Sequence, residues 1–224
     1  MILTVTMLGL GFPYSPTQVG LTLLTVGVPT VFLTFWAQPV PPDEHLLGNL
    51  ARFVIPAAVL TAGFGTAVYA SLYQAVMQGY TSGRAPAEVI AAFESYTGLT
   101  YTDADFATAS ATIGAQTGLS TFVCLASFVL ILFLAPPSRF FAAWTQPTGD
   151  RRPAVLVVVL VAAFAAVLFV PALSNYFGLT GPAPIVFDTV LPALVLWFAA
   201  LSAAYRFRLL DRTLGLNELP GVAQ

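Results

Sequence analysis

The stretch Gly114-Ala115-Gln116-Thr117-Gly118-Leu119-Ser120-Thr121-Phe122-Val123-Cys124-Leu125-Ala126-Ser127-Phe128-Val129-Leu130-Ile131-Leu132-Phe133-Leu134-Ala135 contains no charged residue. A helix needs about 20 predominantly apolar residues to cross a hydrocarbon core of ~30 Å, so this run reads as a membrane span. Three other blocks share its character: 52–73, with Arg52 only at its edge, 153–172 without a charge, and 185–205 with Asp188 alone. A fifth, 17–36, is apolar but rich in threonine, with Gly27 and Pro29 in its middle. Both residues are tolerated in membrane helices where neighbours re-satisfy the backbone. The expected fold is all-α, a polytopic membrane helix bundle of about five full spans plus a short N-terminal half-helix. That half-helix lies in Met1 to Phe12, which is apolar but reaches only about 18 Å at ~1.5 Å per residue. No basic residue precedes the run and no small-residue cleavage site follows it, so it does not read as a signal peptide. It reads instead as the tail end of a longer helix, turned at Gly11-Phe12-Pro13-Tyr14-Ser15-Pro16.

Composition agrees. Of 224 residues, 58% are hydrophobic and 8% charged, and the mean hydropathy is +0.85. A soluble domain carries roughly a quarter charged residues, and with so few this chain would not cover its own surface in water. Its eight basic residues are all arginine and the net charge is −2. Nucleic-acid binding needs a basic face with many phosphate contacts, so no nucleic-acid partner is expected. The single cysteine, Cys124, excludes an intrachain disulfide. With His45 the only histidine, the usual zinc sites are excluded too, and no metal site is assigned.

Arginine placement sets an expected orientation. If the spans alternate, Arg52, Arg139, Arg151, Arg152, Arg206, Arg208 and Arg212 fall on one side, the cytoplasm, and only Arg84 falls outside. The chain then divides as follows. Residues 1–36 hold the end of one helix, an outer turn and a Pro-kinked helix. Residues 37–51 form a cytoplasmic loop, 52–75 a span, 76–111 an extracytoplasmic loop and 112–135 a span. Residues 136–152 form a basic cytoplasmic loop, 153–205 a helix pair and 206–224 a cytoplasmic tail. In the outer loop, Pro86 suits the first turn of a surface helix with Val89, Ile90, Phe93 and Tyr96 on one face. Thr102 reads as an N-cap, with Asp103 and Asp105 in the first turn of a helix that runs into the 114–135 span. The expected location is the cell membrane, multi-pass, with a cytoplasmic C-terminus.

The segment Pro16-Thr17-Gln18-Val19-Gly20-Leu21-Thr22-Leu23-Leu24-Thr25-Val26-Gly27-Val28-Pro29 carries the functional signal. Pro29 has no N–H, so in an α-helix the Thr25 carbonyl loses its partner. Thr22, Thr25 and Pro29 fall at i, i+3 and i+7, placing two hydroxyls and a freed carbonyl on one face. Broken helices with exposed oxygens are how transporters coordinate cations in lipid; threonine hydroxyls bonded back to their own helix are the structural alternative.

The stretch resembles the sixth membrane helix of cation-pumping P-type ATPases, whose pattern runs Pro-x-Gln, then Asn-x-x-Thr-Asp-Gly-x-Pro. Pro16 and Gln18 match the entry, with the spacing to the rest one residue shorter, and Thr25, Gly27 and Pro29 match the core. Leu8-Gly9-Leu10-Gly11-Phe12-Pro13 is similar to the end of the fifth helix and its outer turn. Ala115-Gln116-Thr117 resembles the Ala-Arg-Thr entry to the eighth, with Gln116 replacing arginine. The order of helices and loops fits the family along essentially the whole chain, the specific part being the one segment.

Thr22 stands where the family has asparagine and Val26 where it has aspartate, the two side chains that normally hold the ion. Calcium prefers several oxygens including carboxylates, and this helix offers none; a monovalent ion, another substrate or a degenerate site stay open. The family's Asp-Lys-Thr-Gly-Thr phosphorylation motif is absent, as is any Walker-type loop. The resemblance implies the C-terminal membrane portion of such a pump, with no catalytic ATPase core and no cofactor in this chain, ATP and magnesium being used by the full-length family. The implied partners are the lipid bilayer, a cation and a separate chain carrying the ATPase domains. The candidate ion path is Thr22, Thr25, Pro29, Gln116 and Ser127. A non-transporting structural subunit or remnant, and a small independent permease, are the alternatives.

Among other residues, Asp188 is read as hydrated near the outer surface. Gln116, Thr117, Ser120, Thr121 and Ser127 form a polar face suited to helix packing. Cys124 is read as packing, His45 as solvated beside Asp43 and Glu44, and Trp36, Trp144 and Trp197 as interface anchors, Trp197 lying deep for one.

Overall fold

The computed structural model describes residues 2–7, 9, 13–37, 46–134, 136, 150–181 and 183–207. Asp43, Glu44, His45, Arg139, Trp144, Arg208 and Arg212 lie outside them. The described residues form helices α1 (Ile2–Met7), α2 (Val28–Trp36), α3 (Leu46–Thr81), α4 (Ala87–Thr97), α5 (Phe106–Leu134), α6 (Arg152–Phe169), α7 (Pro171–Tyr176) and α8 (Pro184–Arg206), and no strand. A 3-10 turn, Pro16–Leu21, and a π-helical turn, Leu23–Gly27, lead into α2. The protein is an all-α helical bundle. Among the described residues, five stretches are long and apolar enough to cross a membrane: Thr17–Trp36, Leu50–Thr81, Phe106–Leu134, Arg152–Phe169 and Pro184–Arg206.

The bundle is built around α5. Of its apolar stretch 61% is buried, against 11% in the first span, so α5 is the axis and the first span lies at the periphery. On one side α5 meets α3 and α8 through Tyr69, Leu72, Leu119, Phe122, Trp197 and Leu201, with Val5 of α1 in the same cluster. On the other it meets α6 through Phe128, Leu160 and Phe164, joined by Leu21 and Leu179 from outside those helices. Lipid tails are as apolar as leucine, so burial alone does not drive helices together in a bilayer; close packing and interhelical hydrogen bonds do. Both are present. Gly118 lets the α3 side chain Leu72 approach α5 so closely that a Cβ at position 118 would overlap Leu72 Cδ1.

Trp197 is a core residue rather than an interface anchor. It is fully buried, lies edge-on to Phe122 and donates its indole N–H to Thr61 Oγ1 at 3.1 Å. Burial on α8 facing α3 and α5 outweighs the usual preference of tryptophan for the headgroup level. At the far end of α8, the Tyr205 hydroxyl donates to the Phe53 carbonyl at 3.0 Å and the two rings stack.

The extracytoplasmic loop of the sequence reading folds over one end of α3 and α5. α3 continues to Thr81, and Pro86 is the N-cap of α4 rather than a residue of its first turn. Phe93 is buried against Tyr80, which meets Phe106 edge-on. Tyr96 does not join that apolar face. It is exposed, and its hydroxyl donates to Asn175 Oδ1 at 2.8 Å and the Leu179 carbonyl at 3.1 Å. The expected cap at Thr102 is displaced. The Asp103 carboxylate reaches back to accept the Thr100 N–H at 2.7 Å, closing a separate turn, and the helix begins at Phe106. Short polar side chains that bond their own backbone compete with helix formation in this way.

Candidate functional site

The first span begins at a tight turn. Gln18, nearly fully buried, accepts the Ser15 N–H on Oε1 at 3.2 Å. The same oxygen accepts the Ser120 hydroxyl of α5 at 3.1 Å, and Nε2 donates to the Gly178 carbonyl at 3.3 Å. One amide thus ties the turn to the central helix and to the turn after α7. The approach is close enough to require glycine at 178. Its φ is +64°, and a Cβ there would press on Thr17 Oγ1.

After the 3-10 turn the backbone widens. The Val28 N–H bonds to the Leu23 carbonyl, five residues back. π-turns of this kind occur as single insertions, frequently at functional sites. Residue 29, as proline, serves neither the Thr25 carbonyl in an α register nor the Leu24 carbonyl in a π register. The break expected from Gly27 and Pro29 is therefore present, as a widened turn. The extra residue per turn also removes the shared face. Thr22 and Thr25 line a cavity of about 200 Å³ between the first span and α5, whereas Pro29 is buried and is not part of its wall.

The cavity is completed by Tyr14 and Gln18 from the turn and by Ser120, Val123 and Cys124 from α5. Gln116 lies one turn above Ser120 on the same stripe of α5, and Ser127 one turn below Val123; neither lines the cavity. Gln116 is buried and Ser127 half-buried. Of the five residues named from sequence, the structure brings Thr22 and Thr25 to one space and sets the other three around it. Tyr14 and Ser120 were not named as site residues. Ser120 carried a signal, its place in the polar stripe of α5, but only the fold shows that the first span packs there. Thr117, on the adjoining face, accepts both the backbone N–H and the hydroxyl of Thr180, at 3.0 and 3.1 Å.

The chemistry of the space is neutral. Its wall carries hydroxyls, an amide and a thiol, and no carboxylate. The Thr22 hydroxyl donates to the Val19 carbonyl at 2.7 Å and the Thr25 hydroxyl to Leu21 at 3.4 Å. A hydroxyl that spends its proton on its own helix keeps its oxygen lone pairs as acceptors. Both oxygens can therefore serve as neutral ligands without breaking a bond. Among the described residues no three His, Cys, Asp or Glu side chains come together.

Tyr14 lines the cavity from the turn before the first span, and burial first, with Cys124 second, pushes its phenol up to about 12. The neutral form is favoured in the folded state, so this contribution to stability is complete below about pH 10 and is lost as pH rises towards 12. Alkaline titration of thermal stability in detergent should show a smaller loss between those values in Tyr14→Phe than in the parent chain. An identical loss would place the titration elsewhere.

Comparison with protein families, curated proteins and solved structures finds no match to this chain.

Proposed function

We propose that this chain is the C-terminal membrane portion of a cation pump of the P-type ATPase class, moving its ion only with a partner or as part of a longer chain. The observation that supports it is the widened, proline-broken turn at Leu23–Gly27. It sits on the segment that resembles the pump's sixth helix and brings two threonines to the wall of a cavity against α5. Without a carboxylate, the space suits a singly charged ion held by neutral oxygens better than calcium, which takes six to eight oxygens, usually with carboxylates. The proposed setting is the cell membrane, with the Arg151, Arg152 and Arg206 ends cytoplasmic, following the arginine bias.

A second reading is a non-transporting structural subunit. The back-bonded hydroxyls of Thr22 and Thr25 favour it, because they are satisfied without any ligand.

Reconstitution separates the two. The chain alone in vesicles should pass no ions. Co-reconstituted with a chain carrying the phosphorylation and nucleotide domains, it should give ATP-dependent uptake. In that assembly Thr25→Ala should raise the ion concentration for half-maximal ATP turnover by roughly tenfold, as loss of one or two ligand contacts implies. Unchanged ion dependence would sink the assignment of this cavity. Flux by the chain alone would favour an independent permease.

A further inference from the structure

At the end of the first span away from the outer turn, α2 and the start of α6 frame a second cavity, of about 400 Å³. Val28, Phe32 and Trp36 follow one another at single-turn spacing along α2, and Arg152, Val155 and Val159 do so along α6. Both helices line this space, α2 from Val28 to Trp36 and α6 from its first turn to Val159. The cleft is therefore apolar along most of its wall and basic at the α6 N-terminus, where Arg151 and Arg152 join the lining.

The basic end is not neutralised within the described chain. Arg152 Nε is 4.0 Å from Asp150 Oδ1, an exposed and weak pair, and Arg151 makes no ion pair among the described residues. Asp150 also accepts the Arg152 backbone N–H at 2.9 Å and so occupies the α6 N-terminus, and two arginines against this one aspartate leave one positive charge among the described residues. The apolar part is also uncovered: Val155 is 60% exposed, Val159 57% and Phe32 43%. A soluble anion would use the arginines and leave this groove empty. A lipid uses both.

We infer that the cleft binds one anionic phospholipid, its phosphate on Arg151 and Arg152, an acyl chain along the Val28–Phe32 and Val155–Val159 walls, and Trp36 at headgroup level. Basic pockets between spans on the cytoplasmic side bind headgroups of this kind, and tryptophan favours that depth. The inference is independent of ion transport and holds for either reading above.

The test is native mass spectrometry of the purified full chain, released from detergent with phosphatidylglycerol or phosphatidylcholine. The parent chain should retain one phosphatidylglycerol in preference to phosphatidylcholine by roughly tenfold, as two basic residues near an anionic headgroup imply. The double variant Arg151→Gln/Arg152→Gln should lose that preference, and Arg206→Gln, an exposed arginine on α8 outside the cleft, should keep it. Val159→Trp, which fills the groove from an exposed position, should reduce retention of phosphatidylglycerol with both arginines in place. Equal retention of the two lipids by the parent chain overturns the inference, as does an unchanged preference in the double variant or undiminished retention in Val159→Trp. Displacement of the lipid by millimolar inorganic phosphate would also overturn it, by making the site one for a soluble anion.

Discussion

Replacing Gln18 by leucine should lower the unfolding free energy by about 2–4 kcal/mol, one of the two largest single-residue effects expected in this protein. Interhelical hydrogen bonds in membrane proteins average only about 0.6 kcal/mol each, so most such residues are weak links. Gln18 differs in two ways. It makes three bonds, to Ser15, Ser120 and Gly178, which belong to three separate segments. It is also 3% exposed, so leucine leaves its former partners facing an apolar group, where an unmade bond costs about 1–3 kcal/mol. Gln18→Glu supplies the control. It keeps the acceptor for Ser15 and Ser120 but, when ionised, turns the donor facing the Gly178 carbonyl into a second acceptor. It should be destabilising at neutral pH and recover in part as the carboxyl is protonated in acid. Gln18→Leu should show no such recovery. The measurement is unfolding in mixed micelles followed by tryptophan fluorescence. A loss below about 0.5 kcal/mol for Gln18→Leu would show that the turn is not tied to α5 through this amide.

The same residue shows what sequence could and could not reveal. The spans were legible because a hydrocarbon core imposes a length and forbids charge, which leaves a mark on every residue of 114–135. The break at Gly27 and Pro29 was legible for a similar reason, since proline has no N–H in any setting. The register of the break was not. Whether a helix answers a proline with a kink or with a widened turn depends on what packs beside it. That choice decides whether Thr22, Thr25 and Pro29 share a face, and here it separates Pro29 from the two threonines. Gln18 was visible only as part of a pattern; its three partners lie up to 160 residues away in sequence. Trp197 was misplaced because position within a span fixes depth, not which side of the helix faces the bundle. The Thr102 cap failed at shorter range, because Asp103 had an alternative acceptor role one turn earlier, at the Thr100 N–H.

Gly118 allows a prediction in which two opposing effects can be ranked. Glycine in a helix interior costs roughly 0.8–1 kcal/mol against alanine, so Gly118→Ala should stabilise α5 if space were available. It is not. The new Cβ would overlap Leu72 Cδ1, and Leu72 is 1% exposed, held between Tyr69, Leu119 and their neighbours. Leu72 also borders a cavity of about 350 Å³, so its end can shift only by giving up its seat against α5, and overpacking of this kind costs about 1–3 kcal/mol. The packing term therefore wins for alanine by a small margin and for the branched, bulkier Gly118→Val by a large one, with an expected loss of about 3 kcal/mol or more. Gly63 is the internal comparison. It lies in α3 with nothing within 4 Å of where its Cβ would stand, so Gly63→Ala should be neutral or stabilising by up to about 1 kcal/mol. Leu72→Val shortens the side chain that blocks the space. Combined with Gly118→Ala it should restore part of the stability that each change removes alone, a coupling of at least about 0.5 kcal/mol in a double-mutant cycle. Strict additivity in that cycle would mean that α3 and α5 do not meet at Gly118 and Leu72. Because α5 is the axis on which the first span also rests, Gly118→Val should in addition loosen the cavity wall at Ser120 and Cys124, seen as faster labelling of Cys124 by a membrane-permeant thiol reagent. In the parent chain that thiol is 2% exposed and should react slowly.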